Sequence, residues 1–184
     1  MRLTGGSQRW ETAEPMIEPR WGHRMVAHEG RLYVVGGRGR SGRVLVYTPG
    51  NGWATGAEML RPRSLVRVDI YDPAADSWQA GPDLPHPTSG AAEGVIDGVI
   101  FIYGGEEPDF FDGGVNDRHW MLDTRASPAR WVAAPAPPLA VHGTDGAVLQ
   151  GAMVLVGGAT WHGAYSVLGW TDALQLMKPE AIRR

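Results

Sequence analysis

The side chains best suited to chemistry in this sequence lie in two loops, one rich in carboxylates and one rich in aromatic rings. The acidic loop, residues 106–117, carries five carboxylates of the kind that Ca²⁺ binds, at Glu106, Glu107, Asp109, Asp112 and Asp117. Calcium loops place their ligands at short regular intervals around a turn glycine, and this spacing does not match. We therefore interpret the acidic segment as a solvated loop. The aromatic loop, residues 161–170, begins with Trp161 and His162.

The histidines are the next candidates for a metal site, and there are six of them: His23, His28, His86, His119, His142 and His162. No two of them have the four-residue separation of a metal pair on a helix. His142 and His162 could approach each other across loops, but tetrahedral zinc requires one or two further ligands. The sequence therefore predicts no metal site and no cofactor.

Residues 37–42, Gly-Arg-Gly-Arg-Ser-Gly, match the dinucleotide-binding pattern G-x-G-x-x-G. That chemistry requires a helix directly afterwards, because the helix N-terminus holds the pyrophosphate. The residues that follow, 44–47, have a strand pattern instead, so nucleotide binding is not predicted. The chain has no cysteine, which excludes disulfides, thiolate metal ligands and cysteine nucleophiles. It also lacks the G-x-S-x-G turn of serine hydrolases.

Composition is that of an ordinary globular chain, with 43% hydrophobic and 20% charged residues among 184. A net charge of −3 gives no reason to expect nucleic acid or an anionic membrane as a partner. No apolar stretch approaches the 18 residues that a membrane span needs. The first residues lack the apolar centre of a secretion signal, so we expect a cytoplasmic protein, or a periplasmic or secreted one if it is processed.

An internal repeat organises the chain. A turn glycine, a short apolar run and a double glycine recur at residues 29–37, 97–105 and 150–158. In each copy a tryptophan lies 26 residues before the first glycine of the pair: Trp10, Trp78 and Trp131. Such a period is typical of arrays built from one repeated unit. The regular tryptophans, Trp53 included, are best explained by packing between neighbouring units.

The segment between two tryptophans predicts four short strands without helical periodicity. One strand ends at His28, Gly30 makes a hairpin turn, residues 31–36 return, and further strands run over 44–48 and from Trp53. Gly30, Gly98 and Gly151 align, each where a hairpin requires positive φ. The pattern suits one antiparallel four-stranded blade of a β-propeller.

The same residues resemble the kelch repeat. The motif here consists of Pro19-Arg20, then residues 30–33 (Gly-Arg-Leu-Tyr), Gly36-Gly37, residues 46–49 (Val-Tyr-Thr-Pro) and Trp53. A second copy of its last part, Ile-Tyr-Asp-Pro-Ala-Ala-Asp-Ser-Trp, spans residues 70–78. The resemblance covers almost the whole chain and implies an all-β, kelch-type β-propeller or a partial arc of one, of a bacterial type similar to the central domain of galactose oxidase.

One repeat is shorter than the others. The interval from Arg20 to Tyr47 is 27 residues, whereas that from Arg63 to Tyr71 is only 8. We therefore predict a single domain, 1–184, of about three full four-stranded blades plus one cut blade. Its units are 13–56, 57–81 (cut, without its two inner strands), 82–134, and 135–184. The last unit has three strands, and we expect strand 8–12 around Trp10 to complete it by pairing with residues 172–177.

The resemblance implies a non-catalytic module that binds a protein, peptide or carbohydrate. The first alternative is a carbohydrate-active enzyme similar to the kelch mutarotases, for which Arg20, Arg63 and Glu106 could supply charged groups. The copper chemistry of galactose oxidase is excluded because it uses a cysteine. The second alternative is an internally deleted remnant without function. Because the cut blade leaves apolar strand faces uncovered, we expect a homodimer, or an insoluble chain, rather than a closed monomer.

Ligand contacts are expected from the turn before each inner strand and from the loop after each double glycine. In kelch proteins that bind peptides the matching positions lie on one face of the ring. Serine, arginine and aromatic side chains offer both hydrogen bonding and stacking, which suits a peptide carboxylate or a sugar as the ligand. The predicted ligand-binding residues are Arg20, Trp21, Arg38, Arg63, Ser89, Glu106, His142, Trp161 and His162.

Overall fold

The structure, a computed structural model, describes residues 13–38, 42–60, 68–107, 114–161, 171 and 173–178. The described residues contain thirteen strands and are otherwise turns and irregular segments. They divide into two compact units, the first made of the described parts of 1–62 and 69–79, the second of those of 63–68 and 80–184. All sheets are antiparallel, so the all-β class and the kelch-type partial propeller predicted from the sequence are confirmed.

The first unit contains a four-stranded sheet in the order β1-β2-β3-β4. Its strands are β1 (Trp21–His28), β2 (Arg31–Arg38), β3 (Arg43–Thr48) and β4 (Gly52–Glu58). Val34 and Leu45 are opposite each other and fully buried, which fixes the register of the two central strands. The four predicted strands of this repeat are all present.

The cut repeat forms a two-stranded sheet of β5 (Asp69–Asp72) and β6 (Ser77–Ala80). Tyr71 packs on Tyr33 of the first sheet with ring centroids 6.1 Å apart. The Asp76 carboxylate accepts hydrogen bonds from the Tyr71 hydroxyl (2.6 Å) and the Ala57 amide (2.7 Å). These bonds, the one from Tyr71 above all, lower the pKa of Asp76. In the described residues this repeat thus has its two outer strands, as predicted, and they are fastened to the first sheet.

The second unit contains a four-stranded and a three-stranded sheet. Their strands are β7 (Ala92–Ile96), β8 (Val99–Tyr103), β9 (His119–Asp123), β10 (Trp131–Ala133), β11 (Gly146–Leu149), β12 (Ala152–Val156) and β13 (Leu174–Met177). A core forms where the two sheets pack together, from Ala92, Ile96, Val99, Phe101, Tyr103, Val141, Met153 and Leu155. Strand β13 lies within the predicted 172–177, whereas Trp10 and strand 8–12 lie outside the described residues.

The three inner hairpins turn through pairs of residues with positive φ. The pairs are Glu29–Gly30 (46° and 75°), Asp97–Gly98 (48° and 74°) and Gln150–Gly151 (52° and 74°). Two successive residues of positive φ define the type I′ turn, whose twist matches that of the flanking strands. The positive φ predicted for Gly30, Gly98 and Gly151 is confirmed.

The repeat tryptophans fasten the segment that enters each repeat. The indole N–H of Trp53 donates to the Glu14 carbonyl (3.0 Å), that of Trp78 to Ala57 (3.4 Å), and that of Trp131 to Pro82 (2.9 Å). Each acceptor lies four residues after the preceding tryptophan of the series, at 10, 53 and 78. This spacing runs through the cut repeat unchanged. The three tryptophans are therefore structural, because their indole N–H groups bond to backbone carbonyls of the preceding segment rather than to a ligand.

Candidate functional site

Four of the nine predicted ligand residues come together in the second unit. Ser89 and Glu106 form a backbone bridge, in which the Ser89 amide donates to Glu106 (2.9 Å) and the Glu106 amide to Ser89 (2.8 Å). His142 places one ring nitrogen 3.8 Å from a Glu106 carboxylate oxygen. Its other ring nitrogen lies 2.7 Å from the Trp161 carbonyl. We call Ser89, Glu106, His142 and Trp161 the loop cluster.

His142 connects the two loops of this cluster. A carbonyl oxygen can only accept, so the ring nitrogen Nε2 must carry the proton that it donates to Trp161. The other nitrogen, Nδ1, then faces the Glu106 carboxylate. The backbone of His142 is fixed as well, by reciprocal hydrogen bonds with Ala159 of 2.9 Å each. The imidazole is therefore held in one orientation between the acidic and the aromatic loop.

The double glycine Gly104-Gly105 explains how closely the turns at Ser89 and Val141 approach it. Gly104 and Gly105 both have positive φ, 65° and 92°. A Cβ on Gly105 would lie 2.8 Å from the Ser89 carbonyl, closer than real Cβ contacts. The Gly105 amide donates to Val141 (2.9 Å), which joins the double glycine to the turn of the next sheet. Glycine is thus required both for the backbone angle and for the space.

The loop cluster combines one buried and three accessible side chains. The His142 side chain is 9% exposed, whereas that of Glu106 is 30% exposed and Trp161 is 53% exposed. Ser89 is also exposed. The surface of the loop cluster therefore offers a hydroxyl, a carboxylate and an indole side chain.

The other predicted ligand residues are placed differently. Arg20 is buried, and its guanidinium donates to the carbonyls of Gly36 (3.1 Å) and Arg43 (3.0 Å) and pairs with Glu18 (3.2 Å). Those contacts give it a structural role in the first unit. Trp21, also in the first unit, is 67% exposed. The Arg38 side chain, Arg63 and His162 lie outside the described residues.

Sequence reasoning did not select His119, which is 4% exposed in the second unit. One ring nitrogen, Nδ1, bonds the Pro135 carbonyl (2.9 Å), and the ring packs on Phe101 and Tyr103. Burial lowers the pKa of His119 below its ordinary value. The position of His119 follows from its pairing with Tyr103 in the register of β8 and β9, which is visible in the structure and not in a sequence motif.

Acid is therefore expected to weaken the second unit. The folded state disfavours protonated His119, so the unfolded chain binds this proton more readily and its pKa is the higher one. Stability is fully present above the unfolded pKa of about 6.5 and falls as the pH drops below it. The melting temperature should decline between pH 7.5 and 5.5, and less so in His119→Gln. His28→Gln, at an exposed histidine, should keep the wild-type pH profile, and an unchanged slope in His119→Gln would contradict the assignment.

Within the described ranges, no group of three or more histidine, cysteine or acidic side chains is placed to hold a metal ion. The described part of the chain likewise has no helix that is long and apolar enough to cross a membrane.

Comparison with known proteins identifies the repeat. Residues 19–85 match the family model of the Kelch motif. Kelch-like protein 35 of Mus musculus is 28% identical over 150 residues, which are 81% of this chain and 21% of that protein. Human Kelch-like protein 33 is 34% identical over 57% of this chain, and alpha-scruin of Limulus polyphemus 25% identical over 56%. Residues 19–85 therefore carry the Kelch motif, and most of the chain is similar to kelch-like proteins.

The chain spans only a small part of these relatives, 21% of mouse Kelch-like protein 35, 16% of human Kelch-like protein 33 and 9% of alpha-scruin. The similarity is therefore a similarity of repeats. It supports a role in protein interaction in general, and the chemistry of a ligand has to be argued from the residues of this chain.

Proposed function

We propose that this chain is a protein-interaction module whose loop cluster binds a basic segment of a partner protein. The observation that carries the proposal is the convergence of Glu106 and Trp161 on His142. The kelch-repeat similarity supports protein binding as the general activity. Loops held by a rigid sheet scaffold are a usual place for such a site.

The chemistry of the cluster favours a cationic ligand. Its charged group at the surface is the Glu106 carboxylate, which suits a lysine or arginine side chain of a peptide. The exposed indole of Trp161 offers a face on which the same cation can stack. The Ser89 hydroxyl adds a group that donates and accepts hydrogen bonds, as a peptide backbone requires.

His142 acts as a positioning residue in this proposal. It is too buried to make the main ligand contact, but it holds the Trp161 backbone by a hydrogen bond and faces Glu106. Because one ring contacts both the Trp161 backbone and the Glu106 carboxylate, it holds the two loop starts near each other before a ligand arrives. Preorganisation of this kind reduces the entropy lost on binding.

The test is binding of a fluorescent lysine-containing peptide, measured by anisotropy with the full chain. Glu106→Gln removes the charge at constant size and should weaken binding about tenfold, since a charge-assisted hydrogen bond contributes about 1.5–3 kcal/mol. Trp161→Ala should weaken it severalfold. Glu29→Gln, at an exposed turn of the first unit, is the matched charge control and should leave the affinity unchanged.

A matched ligand separates charge from shape. The same peptide with an acetylated lysine keeps the length and loses the cation, so it should bind weakly to the wild type and be insensitive to Glu106→Gln. Equal binding of the two peptides would contradict the proposal, as would equal losses in Glu106→Gln and Glu29→Gln.

A carbohydrate ligand is the second candidate, and the exposed indole of Trp161, in the same cluster as a carboxylate and a hydroxyl, favours it. Sugars stack on such rings and bond to such groups. Competition distinguishes the two ligands. The sugar would be favoured if a monosaccharide displaces the lysine peptide, and if binding of that monosaccharide is abolished by Trp161→Ala but not by Glu106→Gln.

A further inference from the structure

The first unit contains an apolar cleft of about 330 Å³, with β1 and β2 on one side and β5 with the turn that follows it on the other. It is lined by Val26, His28, Tyr33, Val35, Tyr71 and Pro73. Val26 is 55% exposed and lies in β1, an edge strand of the first sheet.

Strand β5 contributes Tyr71 to this cleft, and the part of the chain that the structure describes places a strand along only one of its edges. Among the described residues β5 pairs only with β6, whereas the matching strands β3 and β9 pair along both edges. Tyr71 and Pro73 correspond in the repeat to Tyr47 and Pro49, which identifies β5 as a third strand. An open third-strand edge presents backbone N–H and C=O groups to an incoming strand.

The second unit shows what covers the equivalent face of a complete repeat. Counted from the double glycine, Tyr33 and Val35 match Phe101 and Tyr103. Phe101 and Tyr103 are buried in one cluster with Met153 and Leu155, which belong to the inner strand β12 of the following sheet. By analogy with the second unit, the sheet face that carries Tyr33 would be covered by an inner strand of the next repeat. The cut repeat is the next repeat, and its two inner strands are the part that it is predicted to lack.

We propose that the cleft is a docking site for an extended apolar strand supplied by a partner protein. The strand would pair along the open edge of β5 and place alternate side chains against Val26, Tyr33 and Val35. Addition of a strand to an open sheet edge combines main-chain hydrogen bonds with pockets for every second side chain. The occupant is thus a β-rich segment with large apolar residues at alternate positions, as Met153 and Leu155 are in β12.

The described residues of a second copy do not offer such a strand. The inner pairs β1–β2, β7–β8 and β11–β12 already pair with each other and with a third strand inside their own sheets. Release of one of them would break a sheet to complete another. A segment of a different protein meets the requirement without that loss.

The probe is a fluorescent peptide of residues 146–158, the inner hairpin of the last repeat, added to the full chain. Val26→Asp places a charge in the cleft and should weaken binding at least about tenfold, because the bound strand would bury the exposed part of the Val26 side chain and this apolar contact is lost. Val95→Asp is the matched control, since Val95 is 58% exposed on the inner strand of a complete repeat. A peptide carrying Met153→Asp and Leu155→Asp should not bind.

Disulfide trapping tests the position independently, because the chain contains no cysteine. Val26→Cys should form a mixed disulfide with a peptide that carries Met153→Cys in the presence of oxidised glutathione, and Val95→Cys should not. Equal losses in Val26→Asp and Val95→Asp would overturn the proposal, as would the absence of saturable binding. A dimer of the chain that Val26→Asp dissociates would also overturn it, in favour of the homodimer expected from the sequence.

Discussion

Tyr103→Ala is expected to destabilise the second unit by about 3–5 kcal/mol, the usual cost of removing a buried aromatic side chain. Tyr103 is 1% exposed and lies between the two sheets of the unit. Its ring meets His119 edge to face with centroids 6.1 Å apart. Such a loss is a large share of the roughly 5–15 kcal/mol that holds a typical domain folded. Urea denaturation followed by circular dichroism measures the change.

Tyr103→Phe separates the ring from its hydroxyl. The hydroxyl donates to the Leu139 carbonyl, which also accepts a hydrogen bond from the Gln175 side chain at 3.1 Å. Because that carbonyl keeps a partner, loss of the hydroxyl should cost only about 1 kcal/mol. Val95→Ala, at an exposed site, should change stability by no more than about 0.5 kcal/mol. If Tyr103→Phe were as harmful as Tyr103→Ala, the hydroxyl and not packing would dominate.

Much of the fold could be read from the sequence because the repeat supplies several copies of one signal. A single stretch such as residues 31–36 would be an ambiguous apolar run. Its alignment with 99–104 and 152–157 identifies the turn glycine, the inner strand and the double glycine together. The cut repeat was visible for the same reason, since one interval was too short for the strands that the others contain.

The loop cluster was predictable as far as register reaches. Ser89 and His142 occupy equivalent columns, and Glu106 and Trp161 lie in loops that follow equivalent double glycines. Strands that share a register bring such positions to the same end of neighbouring sheets, so their convergence follows from the repeat. The hydrogen bond from His142 to the Trp161 carbonyl does not follow from it, because it depends on the path of one loop.

Arg20 shows where register stops being informative. Its repeat position is shared with one other candidate ligand residue, Arg63, yet the Arg20 guanidinium turns inward to carbonyls 16 and 23 residues away. Both acceptors, Gly36 and Arg43, contribute backbone atoms, which carry no side-chain signature. Sequence alone could not distinguish an arginine that binds a ligand from one that binds the scaffold.

Gly105→Ala is expected to lower the free energy of unfolding more than the same change at a repeat glycine with open surroundings, such as Gly151. Gly105 has φ of 92°, and a residue with a Cβ pays about 1–2 kcal/mol for a left-handed backbone. The added Cβ would also meet the Ser89 carbonyl at 2.8 Å, which is backbone and cannot rotate away. We expect the bridge between Ser89 and Glu106 to open, so that binding of the lysine peptide falls together with the melting temperature.

Gly151→Ala is the matched control because it carries the same backbone strain without the crowding. Gly151 has φ of 74°, and nothing lies within 4 Å of the position of its Cβ. This variant should lose only about 1–2 kcal/mol and keep its peptide affinity at temperatures where it is folded. The difference between the two variants therefore measures the close approach at the double glycine. Equal melting temperatures would mean that φ alone explains the glycine pair, and that the loop cluster does not depend on it.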